Sequence, residues 1–240
     1  MLTRPSGTRE RLIVALDLPD AGLALSLGQA VAPHAGLVKL GLELFCAQGP
    51  AMLARLAAHR PVFLDLKLHD IPNTVAGAVR SLAPLGAAML TLHAGGGPAM
   101  IAAAREAAEG LPERPILLAV TVLTSLDESD LADAGVMGSP TEQVRRLAAL
   151  ARASGIDGIV CSGAEVAAAH KMWPQGYFVV PGVRPQGSSV GDQKRVVTPR
   201  QALDEGASML VIGRPITGAE NPAEAIRMIS DDLRPLAIEV

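Results

Sequence analysis

The stretch Val62-Phe-Leu-Asp65-Leu-Lys67-Leu-His-Asp70-Ile-Pro-Asn-Thr74 sets two carboxylates around one ammonium group at spacings that a strand and its exit loop can bring to one point. A β-strand directs residues i and i+2 to the same face, so a strand over residues 62–67 would point Asp65 and Lys67 together. Pro72 allows a helix to begin just beyond, which predicts that Asp70 lies in the turn between strand and helix.

An isolated Asp-x-Lys-x-x-Asp pattern is also compatible with a surface cluster of salt bridges. Here the strand before the charges, Val62-Phe-Leu64, is apolar on both faces, which is typical of a central, buried strand. Charges at the end of such a strand are costly to enclose unless they pair with one another. We therefore interpret the pattern as a functional site.

Apolar runs recur along the chain and are separated by alanine-rich segments with helical spacing. The helical segments include residues 51–59 and 141–150, and the predicted strands are residues 12–17, 37–41, 62–67, 88–93, 116–123, 158–161, 178–181 and 209–213. The alternation predicts parallel strands with crossover helices, and eight such units in 240 residues are typical of a single-domain (β/α)8 barrel, the TIM-barrel architecture.

An open doubly wound sheet is the alternative fold, although the first strand lacks the G-x-G-x-x-G turn of its dinucleotide-binding version. Residues 1–10 are expected to be an N-terminal extension of the barrel. The longest connections are residues 126–140, a polar insertion, and residues 182–199. A long loop at a barrel mouth is either a lid or a plain surface loop, and composition leaves both interpretations open.

The composition argues against several classes of partner. A net charge of −3, no basic run and only 2% aromatic residues predict that the protein does not bind nucleic acid. No apolar stretch approaches the length of a membrane span, and no apolar block follows Arg4, Arg9 and Arg11, so we expect neither a membrane segment nor a signal peptide. Cys46 and Cys161 stand in separate apolar contexts, which predicts two small buried side chains and fits a cytoplasmic location.

The carboxyl ends of barrel strands share one face, where barrel enzymes build their active sites. The residues at the predicted strand ends are mostly polar or ionisable, namely Asp17, Lys39, Asp65, Lys67, His93, Thr124, Cys161, Pro181, Gly213 and Arg214. This sorting predicts a polar site at that face. His93 either lines the site or has a hydrogen-bonded structural role, and the sequence leaves both open. No Ser/His/acid order or His-x-x-x-His spacing supports a hydrolase triad or a zinc site.

The segment Val211-Ile-Gly213-Arg214-Pro-Ile predicts a phosphate site. A strand that ends in glycine lets an anion approach the backbone, and the next helix can offer N–H groups and the positive end of its dipole. Arg214 adds a guanidinium suited to bidentate contact with phosphate. Barrels often bind phosphate after strands seven and eight, so position and chemistry agree. The alternative is a glycine required by packing beside a surface arginine.

Taken together, the motifs resemble those of the orotidine 5′-phosphate decarboxylase family, which converts orotidine monophosphate to uridine monophosphate. The resemblance covers roughly residues 12–227. It rests on Ala15-Leu-Asp17, Val38-Lys39-Leu-Gly41, Asp65-Leu-Lys67-Leu-His-Asp70-Ile-Pro-Asn-Thr74, Thr121-Val-Leu-Thr124-Ser, Pro181-Gly-Val-Arg184-Pro, Gly191-Asp-Gln193-Lys-Arg and Ile212-Gly213-Arg214.

The resemblance implies a homodimer with shared active sites that works without a cofactor or a metal. Asp65, Lys67 and Asp70 would form the catalytic array together with Lys39, and Asp70 would reach in from the neighbouring subunit. Thr74 would reach the substrate from the same neighbour. The other substrate contacts would come from Asp17 and Lys39 at the ribose hydroxyls, from Asp65, from Thr124 at the pyrimidine, and from Arg184, Gln193, Gly213 and Arg214 at the phosphate, with Gln193 on a closing loop.

The charged array suits the reaction that the family carries out. Loss of carbon dioxide from C6 leaves an electron pair in the ring plane, where the pyrimidine π-system cannot delocalise it. Without a cofactor as electron sink, a fixed cation beside C6 is the available stabiliser, and Lys67 would then donate the proton that completes the product. Asp65 and Asp70 would hold the ammonium group in place.

Two rival functions remain. A phosphosugar barrel that stabilises an enediolate with a divalent metal usually carries an acidic ligand at the end of the second strand, where this chain has Lys39. A catalytically inactive nucleotide-binding barrel commonly lacks one member of the charged array, whereas Asp65, Lys67 and Asp70 are all present. Dependence of the activity on a metal would identify the first rival, and binding without turnover would identify the second.

Overall fold

Eight parallel strands follow one another around a closed barrel, and the last strand pairs with the first. The computed structural model describes residues 4–185 and 197–234. The strands are β1 (Leu12–Ala15), β2 (Leu37–Gly41), β3 (Val62–Leu68), β4 (Ala87–His93), β5 (Ile116–Val120), β6 (Gly158–Val160), β7 (Tyr177–Pro181) and β8 (Met209–Ile212). This topology confirms the predicted (β/α)8 barrel and excludes the open sheet.

Helices alternate with the strands along the described chain. They are α1 (Ala21–Val31), α2 (Leu42–Gln48), α3 (Pro50–Ala57), α4 (Pro72–Leu82), α5 (Gly97–Glu109), α6 (Glu128–Asp133), α7 (Pro140–Ala153), α8 (Gly163–Met172), α9 (Pro199–Asp204), α10 (Arg214–Thr217) and α11 (Pro222–Asp232). Local sequence explains many of their starts. Ser139 and Glu142, for example, form a capping box at the beginning of α7, and proline occupies the first turn there and in α4.

Several predicted boundaries and one burial prediction change in the structure. The fifth strand was predicted to reach residue 123 but ends at Val120, and the chain turns where the Leu126 N–H donates to the Leu123 carbonyl. The polar insertion at residues 126–140 contains the short helix α6. Cys161 is buried as predicted, whereas Cys46 is exposed because α2 turns this position towards solvent.

The barrel wall separates two apolar layers. One layer lies between strands and helices and includes Val14, Leu40 and Leu64, and the other fills the barrel and includes Ile13, Leu37 and Phe63. Successive strand residues alternate between these layers because side chains on a strand repeat every two residues. The inward rows of β2 and β3 therefore continue to charged residues towards their carboxyl ends, which is where the site lies.

Gly158 allows β6 to approach β7 closely. A Cβ atom at this position would overlap the carbonyl oxygen of Tyr177, which belongs to the neighbouring strand. The two residues are register partners, so the contact falls within the barrel ladder. A side chain here would have to push apart two paired strands.

We expect Gly158→Ala to lower the free energy of unfolding by about 1–3 kcal/mol or more, since the overlap is with backbone that cannot rotate away. Urea unfolding of both proteins measures the difference. Gly110→Ala is the matched control, because its added Cβ would meet no atom nearer than 3.9 Å. Equal stability of the two variants would contradict the steric account.

Candidate active site

A cavity of about 440 Å³ opens at the carboxyl end of the barrel strands. It is lined by eight of the predicted site residues, which are Asp17, Lys39, Asp65, Lys67, Thr124, Arg184, Gly213 and Arg214. The loops and strand ends thus bring together groups that are up to about two hundred positions apart in sequence. Three predicted site residues are not among the lining residues: Asp70 and Thr74 lie outside the cavity, and Gln193 falls outside the described residues.

An alternating chain of charges crosses one wall of this cavity. Lys39 Nζ lies 2.7 Å from Asp17 Oδ1 and 3.7 Å from Asp65 Oδ2. Lys67 Nζ lies 3.0 Å from the same oxygen of Asp65. The side chains of Lys39 and Asp65 are only 9% and 15% exposed, so both need the opposite charges that they contact. The sequence prediction that Asp65 and Lys67 pair is confirmed.

The inward rows of the strands explain this placement. Lys39 follows Leu37 on β2, and Asp65 follows Phe63 on β3, at the spacing that keeps each pair on the same face. Asp17 stands two residues after Ala15, which is the register partner of Lys39. Neighbouring strands therefore bring the three charges together.

Lys67 does not follow the plain strand alternation that the sequence predicted. Its φ angle is +52°, and no other residue except glycine has a positive φ in the described ranges 4–185 and 197–234. The register of the β3–β4 ladder also shifts here: Leu64 pairs with Leu90, and the next pair along the ladder is Leu68 with Leu92. Lys67 thus enters the cavity from a bulge, a feature often found next to active sites.

Two residues at the site had no role in the sequence prediction. Gly41 lies beside the ion pair, where a Cβ would come within 2.6 Å of Asp17 Oδ1 and 2.7 Å of Lys39 Nζ. Thr91 is fully buried on β4, and its hydroxyl donates to Asp65 Oδ1 at 3.0 Å. The only sequence signal for Thr91 is a polar residue two positions before His93 in an otherwise apolar strand.

The predicted phosphate contacts line the same cavity and follow β7 and β8. Arg184 is 8% exposed, and its backbone N–H donates to the Val197 carbonyl at 3.1 Å. Gly213 and Arg214 follow β8, but α10 is a single turn: Pro215 has no N–H, and the N–H groups of Ile216 and Thr217 donate to the Gly213 carbonyl. This turn therefore offers less backbone to an anion than the predicted helix, which leaves the two guanidinium groups as the main cationic features there.

Asp70 and Thr74 lie on the outer surface at the start of α4. Both are exposed, and Asp70 Oδ1 accepts the N–H of Ile71 at 2.6 Å. Ile71 is itself 66% exposed, which is high for a large apolar side chain. Asp70 lies in the turn before α4, as predicted, and this surface is where a second subunit would have to meet the first if these residues complete a neighbouring site.

His93 has the structural role that was one of its two predicted interpretations. Its ring stacks on His69, with centroids 5.1 Å apart, and Nδ1 accepts the Gly95 N–H at 3.0 Å. Burial lowers the pKa of His93 below its ordinary value, and the nearby His69 and Lys67 lower it further by smaller amounts. A neutral imidazole suits this contact, because Nδ1 must be unprotonated to accept a hydrogen bond.

Neither a cluster of metal-binding side chains nor a membrane-spanning helix is found among the described residues. In residues 4–185 and 197–234, no group of three or more His, Cys, Asp or Glu side chains is placed to hold a metal ion. None of the helices in those ranges combines the length and apolar character needed to cross a bilayer.

Comparison with known proteins gives consistent matches. The sequence profile of the "Orotidine 5'-phosphate decarboxylase / HUMPS family" matches residues 10–229. A protein of Sphingopyxis alaskensis named orotidine 5′-phosphate decarboxylase is 56% identical over 223 residues, which are 92% of this chain and 98% of that protein. A protein of the same name from Rhodospirillum rubrum is 49% identical over 235 residues, covering 94% of this chain and 95% of its own.

A solved structure is similar to this chain in both sequence and fold. The crystal structure of orotidine 5′-phosphate decarboxylase from Lactobacillus acidophilus superimposes with a TM-score of 0.82 at 38% sequence identity. The match covers 93% of this chain and 99% of that structure.

The lowered pKa of His93 predicts that the residue destabilises the fold in acid. As pH falls through about 6.5, the unfolded chain takes up this proton before the folded chain does, so stability decreases. Between about pH 7.5 and 5.5 we expect the free energy of unfolding to decrease less in His93→Gln than in the wild type, as measured by urea unfolding. His59→Gln, at an exposed position, is the control, and an unchanged pH dependence in His93→Gln would contradict the prediction.

Proposed function

The chain belongs to the orotidine 5′-phosphate decarboxylase / HUMPS family, and from this membership we propose that it decarboxylates orotidine 5′-monophosphate to uridine 5′-monophosphate in pyrimidine biosynthesis, without a cofactor. The observation that carries the proposal is the chain of paired charges from Asp17 through Lys39 and Asp65 to Lys67 inside the barrel mouth. The names of the two relatives described above point to the same reaction.

The charge of the cavity supports an anionic substrate. Among the described lining residues, the cations are Lys39, Lys67, Arg184 and Arg214, and the anions are Asp17 and Asp65. The cations therefore outnumber the carboxylates, and Arg184 and Arg214 follow β7 and β8 whereas the two lysines lie on β2 and β3. A nucleotide with a phosphate at one end and a carboxylate on its base would present negative charge to both pairs of cations.

The proposed reaction breaks the bond between C6 and the carboxylate. Carbon dioxide leaves, the bonding electron pair stays on C6, and Lys67 Nζ donates a proton to that carbon to give the product. The Lys67 ammonium stabilises the developing negative charge, and it does so without reorganisation because Asp65 already holds it at 3.0 Å. Asp65 is 15% exposed and Lys67 is 39% exposed, so the interaction is partly shielded from water.

The substrate contacts extend the proposal to the rest of the site. Asp17 and Lys39 bind the ribose hydroxyls, and Thr124 binds the pyrimidine. Arg184, Gly213 and Arg214 bind the phosphate, together with Gln193 from outside the described residues. Binding energy from the phosphate, remote from C6, is then available for positioning the reacting carbon.

A homodimer with shared sites is part of the same proposal. Asp70 and Thr74 are exposed beside Ile71 and Pro72, so this edge of α4 is accessible to a second subunit. Asp70 of one subunit would complete the carboxylate pair around Lys67 of the other. The cytoplasmic location predicted from the sequence stays a prediction.

The first experiment follows loss of orotidine monophosphate absorbance with purified protein in excess chelator. We expect rapid conversion to uridine monophosphate. Lys67→Ala should lower turnover by roughly 1,000-fold or more, because the cation beside C6 and the proton donor are removed together. Binding of uridine monophosphate to that variant should be largely retained.

Lys171→Ala, an exposed position on α8, is the matched control and should turn over like the wild type. Substantial decarboxylation by Lys67→Ala would remove Lys67 from its role. No conversion by folded wild-type protein would redirect the search to phosphosugar substrates with a divalent metal restored, and then to binding alone.

Shared sites predict complementation between two inactive variants. A mixture of Lys67→Ala and Asp70→Ala subunits should recover about a quarter of wild-type activity, since half of the randomly formed dimers are mixed and each has one intact site. The assay is decarboxylation after subunit exchange has been verified. A mixture of Lys67→Ala with Asp65→Ala should recover nothing, because one chain supplies both groups to its own site. Absence of recovery in the first mixture would contradict sharing.

A further inference from the structure

The register shift between β3 and β4 places Thr91 opposite a bulge of β3. Leu64 pairs with Leu90 and Leu68 pairs with Leu92, so the three residues from Asp65 to Lys67 lie opposite Thr91 alone. In a regular parallel ladder each of these residues would face a partner of its own. The bulged segment therefore needs another source of hydrogen bonds.

The Thr91 hydroxyl supplies two of them. Its Oγ1 accepts the backbone N–H of Lys67 at 2.9 Å and donates to Asp65 Oδ1 at 3.0 Å. One oxygen thus ties the main chain of one charged residue to the side chain of the other. The bonds are fully enclosed, because Thr91 has 0% exposure, and a hydroxyl in such a place carries a high cost when its partners are lost.

The backbone that Thr91 holds is one that L-amino acids avoid. Lys67 has φ +52°, which favours glycine, so surrounding contacts must maintain it. The hydroxyl binds at this residue and also at the carboxylate that receives the Lys67 ammonium at 3.0 Å. Thr91 Oγ1 therefore holds the main chain of Lys67 directly and its side chain through Asp65.

We propose that Thr91 is a positioning residue for the decarboxylation, whose hydroxyl sets the orientation of the Lys67 ammonium through the Lys67 N–H and the Asp65 carboxylate. Thr91 is not among the residues that line the cavity, so it acts through these two partners and not on the substrate. The inference rests on the proposed function for its kinetic readout.

Four side chains at position 91 test the hydroxyl separately from the shape. Threonine and valine have nearly the same shape, but only threonine carries a hydroxyl. Serine and alanine are both smaller, and of these two only serine carries a hydroxyl. We expect kcat to fall about 10- to 100-fold in Thr91→Val and Thr91→Ala, since small displacements of a reacting group reduce rate on that scale. Thr91→Ser should keep kcat within about threefold of the wild type, and KM should change little throughout.

The kinetic pattern distinguishes positioning from simple packing. A packing role would follow side-chain size, so that Ser and Ala lose activity together and Val retains it, and this result would overturn the proposal. So would a change in KM with kcat preserved, or unchanged kcat in both variants that lack the hydroxyl. If neither of those variants folds while Thr91→Ser does, the hydroxyl is a requirement of the fold and the positioning role is also overturned.

Failure of the inference is separable from failure of the proposed function. If the wild type turns over orotidine monophosphate and Thr91→Val has the same activity, only the role of Thr91 is overturned. If the wild type is folded but inactive, both the proposed function and the role of Thr91 in it are overturned. Binding of uridine monophosphate, measured in all four proteins, shows that the cavity itself is intact.

Discussion

The charged end of the barrel depends on the contacts that the carboxylate of Asp65 makes. One of its oxygens lies near the ammonium groups of both Lys39 and Lys67, and the other accepts the hydroxyl of Thr91. Two ammonium groups that share one oxygen would repel each other if that oxygen were removed, and both stand where water is partly excluded. The arrangement is therefore stable only as a set, which explains why the groups come from three adjacent strands that the barrel holds at fixed spacing.

The barrel turns this electrostatic requirement into a simple pattern. The inward rows of β2 and β3 are apolar in the interior, at Leu37 and Phe63, and become charged two residues later, at Lys39 and Asp65. The apolar part stabilises the fold by burial, and the charged part stands where the barrel opens to solvent. Stability and chemistry thus occupy successive positions of the same strands.

Much of this could be predicted from sequence, because strand alternation and the order of strands carry it. The order of eight parallel strands and the helix after Pro72 follow from local rules, and the pairing of Asp65 with Lys67 was predicted although the bulge that achieves it was not. The positive φ of Lys67 does not follow from local rules, since its side chain gives no local reason to leave the β region. The contact between Thr91 and Asp65 depends on a register shift between two strands, which no single strand reveals. The proposed roles of Asp70 and Thr74 would require a second subunit, which the sequence of one chain cannot position.

The register shift between β3 and β4 also limits how this site can be moved. A designer who grafts only the Asp-x-Lys strand into another barrel transfers the charges without the residue opposite the bulge. The transplanted segment would then relax into an ordinary ladder, where each residue finds its own backbone partner and Lys67 no longer needs its left-handed turn. The smallest portable unit is therefore the two-strand pair, and its two halves are expected to change together when homologous barrels diverge.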